Sequence, residues 1–347
     1  MIRPVSFRRA LLAWYDRVKR DLPWRSATPD FYRVWLSEIM LQQTRVEAVI
    51  PYFERFLARF PDVHSLARAS EPAVLTAWSG LGYYSRARNL HRGAKQVTAA
   101  GLPAGYEDLR ALAGIGPYTA AAIASIAFDQ PHAAVDGNVL RVVSRVTNDP
   151  GEISSPATKA RFTEAAQLLL DRGRPGDFNQ AMMELGATVC IPRSPRCGEC
   201  PVAQFCGARA AGRETELPVK LKKNASRDVP LELALLRNGP ELFLIQRAAG
   251  ERRLAGFWEL PPKNLFLRWR GRLTAQFTHQ IVNDRFRVSI FEGSVPKVLP
   301  AGKWLVPGEL DAIPLTTVTR KALALSGMEL KSRSKSPGNT TFQQSEV

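Results

Sequence analysis

Four cysteines lie within 17 residues, as Cys190-x6-Cys197-x2-Cys200-x5-Cys206, and the chain has no others. Such crowding points to one shared ligand rather than four independent thiols. Structural zinc sites of four cysteines come as two tight pairs, each with about two to four residues between its thiolates. Here one tight pair stands between two loose arms. That pattern suits a loop wrapped around one [4Fe-4S] cluster, with zinc as the alternative. No second cluster motif or electron-partner motif accompanies it, which favours a structural cluster over a redox catalyst. Arg193 and Arg196 in the first arm would set cations beside a stiffened loop, suited to contact with phosphate.

Two further places carry chemistry. Leu109-Arg-Ala-Leu112-Ala-Gly114-Ile115-Gly116-Pro117-Tyr118 reads as helix, tight turn, helix. Gly114 and Gly116 permit positive φ and close backbone approach, and Pro117 sits where a first-turn proline belongs. Uncapped N–H groups at that helix start can hold a phosphate without reading sequence; an ordinary helix–helix turn is the alternative. Glu38 lies among Trp35, Leu36, Ile39, Met40 and Leu41, where desolvation favours a protonated carboxyl able to act as a general acid. A merely buried, hydrogen-bonded glutamate fits those neighbours equally well. Asp136, before Gly137 and Asn138, reads first as a helix N-cap, in a position that favours its ionised form.

The elements that must position these groups are helical up to about residue 206. A helix is expected near 30–49, with Pro51 ending it and opening the next. Further helical patterns run near 72–79, 85–99, 106–112, 117–127, 138–147, 157–171 and 177–188. Residues 207–228 are small, polar and basic without periodicity: a linker, with Lys220, Lys222, Lys223 and Arg227 able to follow a phosphate backbone. Beyond it, LELALLRNGPELFLIQR reads as strand, Asn-Gly-Pro turn, strand; FRVSIFEGSV and KWLVPGEL read as further strands, and 316–325 as a closing helix. The expected fold is therefore multi-domain: an all-α core over 1–206, a linker over 207–228, a small α+β domain over 229–328 and a disordered tail over 329–347.

Composition bounds the partners. The 347 residues carry 48 Lys+Arg against 32 Asp+Glu, a formal net charge of +16. That balance favours nucleic acid first and an anionic membrane surface second. The longest small-and-apolar run, Thr119 to Phe128, is far short of the roughly 18 residues of a spanning helix. The N-terminus lacks a continuous apolar signal region. A cytoplasmic protein is expected, with no membrane partner.

The hairpin, Asp136 in AVDGNVLRV eighteen residues after Tyr118, and the cysteine loop together resemble the helix-hairpin-helix base-excision glycosylases of the endonuclease III superfamily. The segments LPWR (22–25), WLSEIMLQQTRVEAVIPYF (35–53), WSGLGYYSRARNL (78–90) and MELGATVC (183–190) are similar to the MutY family of adenine glycosylases. The similarity runs through nearly the whole helical half. It implies a helix-hairpin-helix glycosylase core, with a six-helix subdomain over about 22–130 and an iron–sulfur subdomain formed by the N-terminal helix plus 131–206. It also implies a double-stranded DNA partner carrying an 8-oxoguanine:adenine or guanine:adenine mispair, bound by a monomer.

What the resemblance implies for single residues is specific. Cleaving the N-glycosidic bond of adenine divides work between a proton donor and an anion, as two carboxylates do on glycosides. Glu38 is the implied acid at adenine N7, and Asp136 the oxocarbenium stabiliser or nucleophile. Tyr118 and Asn138 are implied to support them. Because the base must leave the duplex, Gln43 and Tyr83 are the implied probes of the stack, and Trp24, Arg25 and Glu184 help form the adenine pocket. Lyase relatives carry a lysine where this chain has Tyr118, and none occurs between Lys95 and Lys159, so a monofunctional enzyme is expected.

Residues 229–328 resemble the Nudix-like C-terminal domain of the same family, through RAAGERRLAGFWELP (247–261) and FTHQ (277–280). No glutamate lies between Glu259 and Glu292, so metal-dependent pyrophosphate hydrolysis is not expected. In that family a loop of Phe, Ser and His reads the lesion; here it is Phe277-Thr278-His279, with a threonine in place of serine, and the segment after Pro262 is shorter than usual. Two other functions compete: an endonuclease III-like oxidised-pyrimidine glycosylase and lyase, and a non-catalytic iron–sulfur DNA-binding protein.

Overall fold

The computed structural model describes residues 3–26, 28–221, 227–248, 250–251, 254–281 and 284–328. The expected tail at 329–347, and Lys222 and Lys223 of the expected linker, lie outside these. The chain divides into two compact units, one of residues 1–68 with 88–223 and one of 69–87 with 224–347. The segment 69–87, read in the sequence as part of the helical half, therefore groups with the C-terminal unit.

Helices run in the order α1 (Pro4–Val18), α2 (Phe31–Leu41), α3 (Val46–Arg59), α4 (Val63–Arg68), α5 (Glu71–Trp78), α6 (Ser85–Ala100), α7 (Tyr106–Ala111), α8 (Pro117–Phe128), α9 (Gly137–Thr147), α10 (Pro156–Leu169), α11 (Pro175–Thr188) and α12 (Gly207–Ala210). The single helix expected near 30–49 is two. Gln43 takes a left-handed φ of 57° in the polar stretch Gln42-Gln43-Thr44, which ends α2, and α3 starts at Val46. Pro51 lies inside α3 rather than at its boundary. A proline there removes one i→i−4 bond and costs about 3 kcal/mol where the helix is exposed. Phe53 and Phe56, both fully buried, hold the helix despite it.

The alanine-rich α8 packs against α2, α7 and α11. Its small side chains bring its backbone close to α2, whose buried residues run from Phe31 to Met40. A second core joins α1, α9, α10 and α11 through Phe7, Leu11, Val142, Phe162, Phe178 and Leu185. The expected linker is partly structured: α12 follows Cys206, Leu217 is 1% exposed, and Ile153 N–H donates to the Val219 carbonyl at 3.0 Å.

In the other unit, strands β1 (Arg227–Asn238), β2 (Glu241–Gln246), β3 (Trp258–Glu259), β4 (Arg272–Ile281), β5 (Asp284–Gly293) and β6 (Lys303–Leu305) form one sheet in the order β3-β2-β1-β5-β4, with β6 beside β2. The hairpin β1–β2 turns through Gly239 and Pro240, with Asn238 opposite Glu241. β1 and β5 run parallel, Leu233 opposite Ile290. A leucine-rich core against one face is closed by α13 (Pro307–Leu310) and α14 (Thr317–Leu325). Two expectations need correcting. The piece VPGEL of the expected strand turns into α13, because Pro307 opens a helix that Glu309 caps through the Val306 N–H at 2.9 Å. Phe277-Thr278-His279 is not a loop but the middle of β4, paired with Val288, Arg287 and Phe286 of β5. The segment 69–87 is fixed in this unit by Thr76 on the Ala312 carbonyl (3.3 Å), Arg320 on Ser79 (3.0 Å) and Tyr84 against Phe257 (ring centroids 4.2 Å apart).

Candidate active site

Glu38 projects from α2 into a cavity of about 170 Å³ that Trp24, Arg25, Asp136, Asn138 and Glu184 also line. Glu38 is 6% exposed. Tyr118, one residue into α8, donates its hydroxyl to Glu38 Oε2 at 2.7 Å. Burial pushes the Glu38 carboxyl up to about 7, against the pull of the Tyr118 hydroxyl and with help from the negative charge of Asp136. Burial and the two carboxylates push the Tyr118 phenol well above its ordinary range, so the phenol stays neutral and able to donate.

Asp136 is the N-cap of α9: Oδ1 accepts from Val139 N–H at 2.8 Å and Oδ2 from the Asn138 amide at 2.9 Å. Burial raises its carboxyl above the ordinary value, opposed by these donors and by Arg141. The upward direction runs against the effect expected from the helix start alone. The difference between the two carboxyls lies in their donors: Glu38 has one hydroxyl, whereas Asp136 has a backbone N–H and an amide that favour its ionised form. Of the pair, Glu38 is the better proton carrier and Asp136 the better anion.

Sequence reasoning named Asn138, Glu184, Arg25 and Trp24 but missed Arg141, Gly186 and Arg20, which hold them in place. Arg141, 8% exposed, donates to Asn138 Oδ1 at 2.9 Å, to the Gly186 carbonyl at 2.8 Å and, through Nε, to the Cys190 carbonyl at 2.8 Å. Gly186 is required for this approach: a Cβ there would stand 2.7 Å from Asn138 Cβ. Glu184, its side chain 2% exposed, is gripped by Arg20 at both oxygens and by Arg25 Nη2 at 2.8 Å. Burial is the largest influence on it and pushes it up, but the two arginines together hold it below its ordinary value. Trp24 packs edge-on against Phe53, ring centroids 5.3 Å apart. The spacing of Asn138, Arg141 and Arg145 along one helix face was the signal available for the arginines.

The hairpin meets its expectation in part: Gly114 alone takes positive φ, whereas Gly116 is extended at φ −86°. Gly114 has φ +79° and a Cβ there would meet Asn89 Cβ at 2.5 Å, whereas Gly116, the N-cap of α8, faces open space and brings no side-chain cap. Gln43 is exposed and Tyr83 is 48% exposed. Both hold left-handed φ, 57° and 47°, as do Asp129, Asn148, Ser194, Leu254 and Arg268. Gln43 lies outside the lining of the cavity. Tyr83, under the Arg86 guanidinium at 5.2 Å, belongs to the second unit with Phe277, Thr278 and His279. There Thr278 is exposed, and half-buried His279 lies 3.5 Å from Lys321 Nζ.

All four cysteines are free and line one cavity with Val142, Val146, Leu185, Val189 and Val202. Among the described residues no three His, Cys, Asp or Glu side chains close tightly enough to hold a single ion. Four sulfurs around one cavity, whose walls also carry Arg145 and Glu214, fit a cubane held by four thiolates. Burial pushes the bare Cys200 thiol up to about 11, a cost that binding to iron removes by keeping the sulfur as thiolate.

Residues 36–167 match the model of the HhH-GPD superfamily of base excision DNA repair proteins. Residues 190–206 match the iron–sulfur binding domain of endonuclease III, which assigns the four cysteines to one [4Fe-4S] cluster. An adenine DNA glycosylase of Rattus norvegicus is 36% identical over 397 residues, covering 91% of this chain and 77% of that one. The chain belongs to the adenine DNA glycosylase family. A second member of the family, from Homo sapiens, is also 36% identical, over 91% of this chain and 73% of its own. Among solved structures, a thermostable thymine-DNA glycosylase superposes with a TM-score of 0.55 at 26% identity, over 60% of this chain and 97% of that one. A non-covalent endonuclease III–DNA complex gives 0.51 at 19% identity and shares the fold. Within the adenine glycosylase family, the hairpin, the paired carboxylates and the cluster loop thus fall in the matched helical part, and the sheet of the second unit lies beyond the superfamily model.

Proposed function

We propose that this enzyme removes adenine mispaired with 8-oxoguanine, or with guanine, by hydrolysing its N-glycosidic bond, as a monofunctional, monomeric glycosylase of the nucleoid. The observation that carries the proposal is the buried Glu38 carboxyl with its raised pKa, facing the same cavity as Asp136. Adenine everted into that cavity receives the Glu38 proton at N7 as the bond to the sugar breaks. The electron pair of that bond leaves with the base. Asp136 faces the cation that develops on the sugar, and water completes the hydrolysis. Tyr118 keeps Glu38 oriented, Asn138 holds Asp136, and Glu184 with Arg25 and Trp24 shapes the base pocket. Gly114 and Gly116 hold a backbone phosphate, and Gln43 and Tyr83 probe the stack. The [4Fe-4S] cluster, held by Cys190, Cys197, Cys200 and Cys206, supplies a rigid, charged anchor for its loop.

The proton carried by Glu38 makes a pH prediction. Its acid form is complete well below pH 7 and is lost as pH rises through about 7. Single-turnover adenine release should therefore fall on the alkaline side with an apparent pKa near that value. A rate that stays level from pH 6 to pH 9 would remove Glu38 from the role.

The second unit, with its six-stranded sheet and no glutamate between Glu259 and Glu292, fits a Nudix-like reader of the opposite base. On β4, His279 and Thr278 stand on opposite faces, so the two cannot both point at one base from a regular strand. His279→Ala is expected to lower the preference for 8-oxoguanine:A over G:A duplexes severalfold, read as the ratio of single-turnover rates. An unchanged ratio would place lesion reading elsewhere.

A further inference from the structure

Arg145 lies one turn beyond Arg141 on α9 and is 1% exposed, the largest charged side chain among those fully buried. Its Nη1 donates to the Ile191 carbonyl at 2.8 Å and to Cys190 Sγ at 3.2 Å. Nη2 reaches the Pro192 carbonyl at 3.3 Å, and Nε the Leu217 carbonyl at 2.9 Å. These acceptors are three neutral carbonyls and one sulfur, and among the described residues no carboxylate forms an ion pair with it. A guanidinium does not shed its proton in a protein, and a buried charge without an opposite one is costly. Four thiolates around a [4Fe-4S] core carry a net negative charge, and Arg145 lines that same cavity.

We infer that Arg145 is the internal counter-cation of the cluster and the clasp that ties the cluster's first arm and the Leu217 turn to α9. One side chain thus performs two separable tasks. Its charge offsets that of the cluster, and its planar fork fixes Ile191, Pro192 and Leu217 at once, a geometry that lysine cannot reproduce. Loading of the cluster and docking of the segment around Leu217 are then coupled, although that segment contributes no ligand. Glu214 supplies the opposite sign for comparison. It lines the same cavity, and its Oε2 is buried without a hydrogen-bond partner. Loss of a nearby positive charge makes reduction of the cluster harder, and loss of a nearby negative charge makes it easier.

The test uses reconstituted holoprotein of the wild type, Arg145→Met, Arg145→Lys and Glu214→Gln. Iron and sulfide per chain, the rate of iron loss to a chelator, and the cluster midpoint potential at one pH are measured. Arg145→Met is expected to release iron severalfold faster and to shift the potential to more negative values. Arg145→Lys should keep the potential near that of the wild type while still releasing iron faster, because the charge remains and the fork is lost. Glu214→Gln should shift the potential to more positive values. Should Arg145→Met fail to fold, the lysine and glutamine variants decide. A lysine variant that retains iron as long as the wild type, or a Glu214→Gln potential that does not move upward, overturns the inference.

Discussion

Glu38→Gln is expected to slow adenine release by roughly 10²–10⁴-fold, the range for loss of a positioned general acid, while affinity for the mispaired duplex persists. The substitution is nearly isosteric. The Gln oxygen can still accept the Tyr118 hydroxyl that now lies 2.7 Å from Oε2. Only the transferable proton is removed, so the loss belongs to the chemical step and appears in single-turnover rates rather than in binding. The alkaline fall in rate should vanish in the residual activity of this variant, because the group that titrates near 7 is gone. Stability gives an independent reading. The folded state holds the Glu38 proton more tightly than the unfolded chain, so its stabilising contribution is complete below the ordinary 4.5 and is lost as pH rises through about 7. The glutamine variant should therefore gain in thermal midpoint relative to the wild type as pH rises across that window. Near-normal turnover in the variant would show that another group protonates the base.

Asp136→Asn is the second large effect, with an expected fall of about 10²–10³-fold, comparable to removal of a preorganised electrostatic stabiliser. Asparagine is itself a good N-cap, so the hydrogen bond from Val139 N–H and the start of α9 should survive. What disappears is the negative charge facing the sugar, together with the second acceptor to which the Asn138 amide donates at 2.9 Å. Circular dichroism and cluster content should match the wild type, while the single-turnover rate drops. If the rate dropped in step with loss of helix or iron, Asp136 would be a structural cap and the anion would lie elsewhere. The two substitutions share one cavity, so the double variant should lose less than the product of the single losses.

Local spacing made much of this legible in the sequence. The cysteine window, the Gly114 to Pro117 turn and the apolar neighbours of Glu38 are patterns within one element; the four cysteines line one cavity, Gly114 takes positive φ and Glu38 is buried. Contacts between distant segments were not legible. Arg141 and Arg145 went unremarked in the sequence, because their acceptors are backbone carbonyls at Cys190, Gly186 and Leu217, far along the chain. Pro51 read as a boundary, because the burial of Phe53 and Phe56 that sustains α3 across it is a tertiary effect. The β4 strand is a different case: Leu273, Ala275 and Phe277 alternate with polar residues, a period-2 pattern that marks a strand through Phe277-Thr278-His279.

The most direct measurement is single-turnover incubation of the holoprotein with a duplex carrying one 8-oxoguanine:A pair, with free base and strand breaks scored separately. Free adenine released in proportion to enzyme, from a strand that breaks only on later treatment with alkali, is the predicted result. A duplex that is bound firmly yet yields no adenine, or one nicked by the enzyme itself through a borohydride-trappable lysine, would contradict the account.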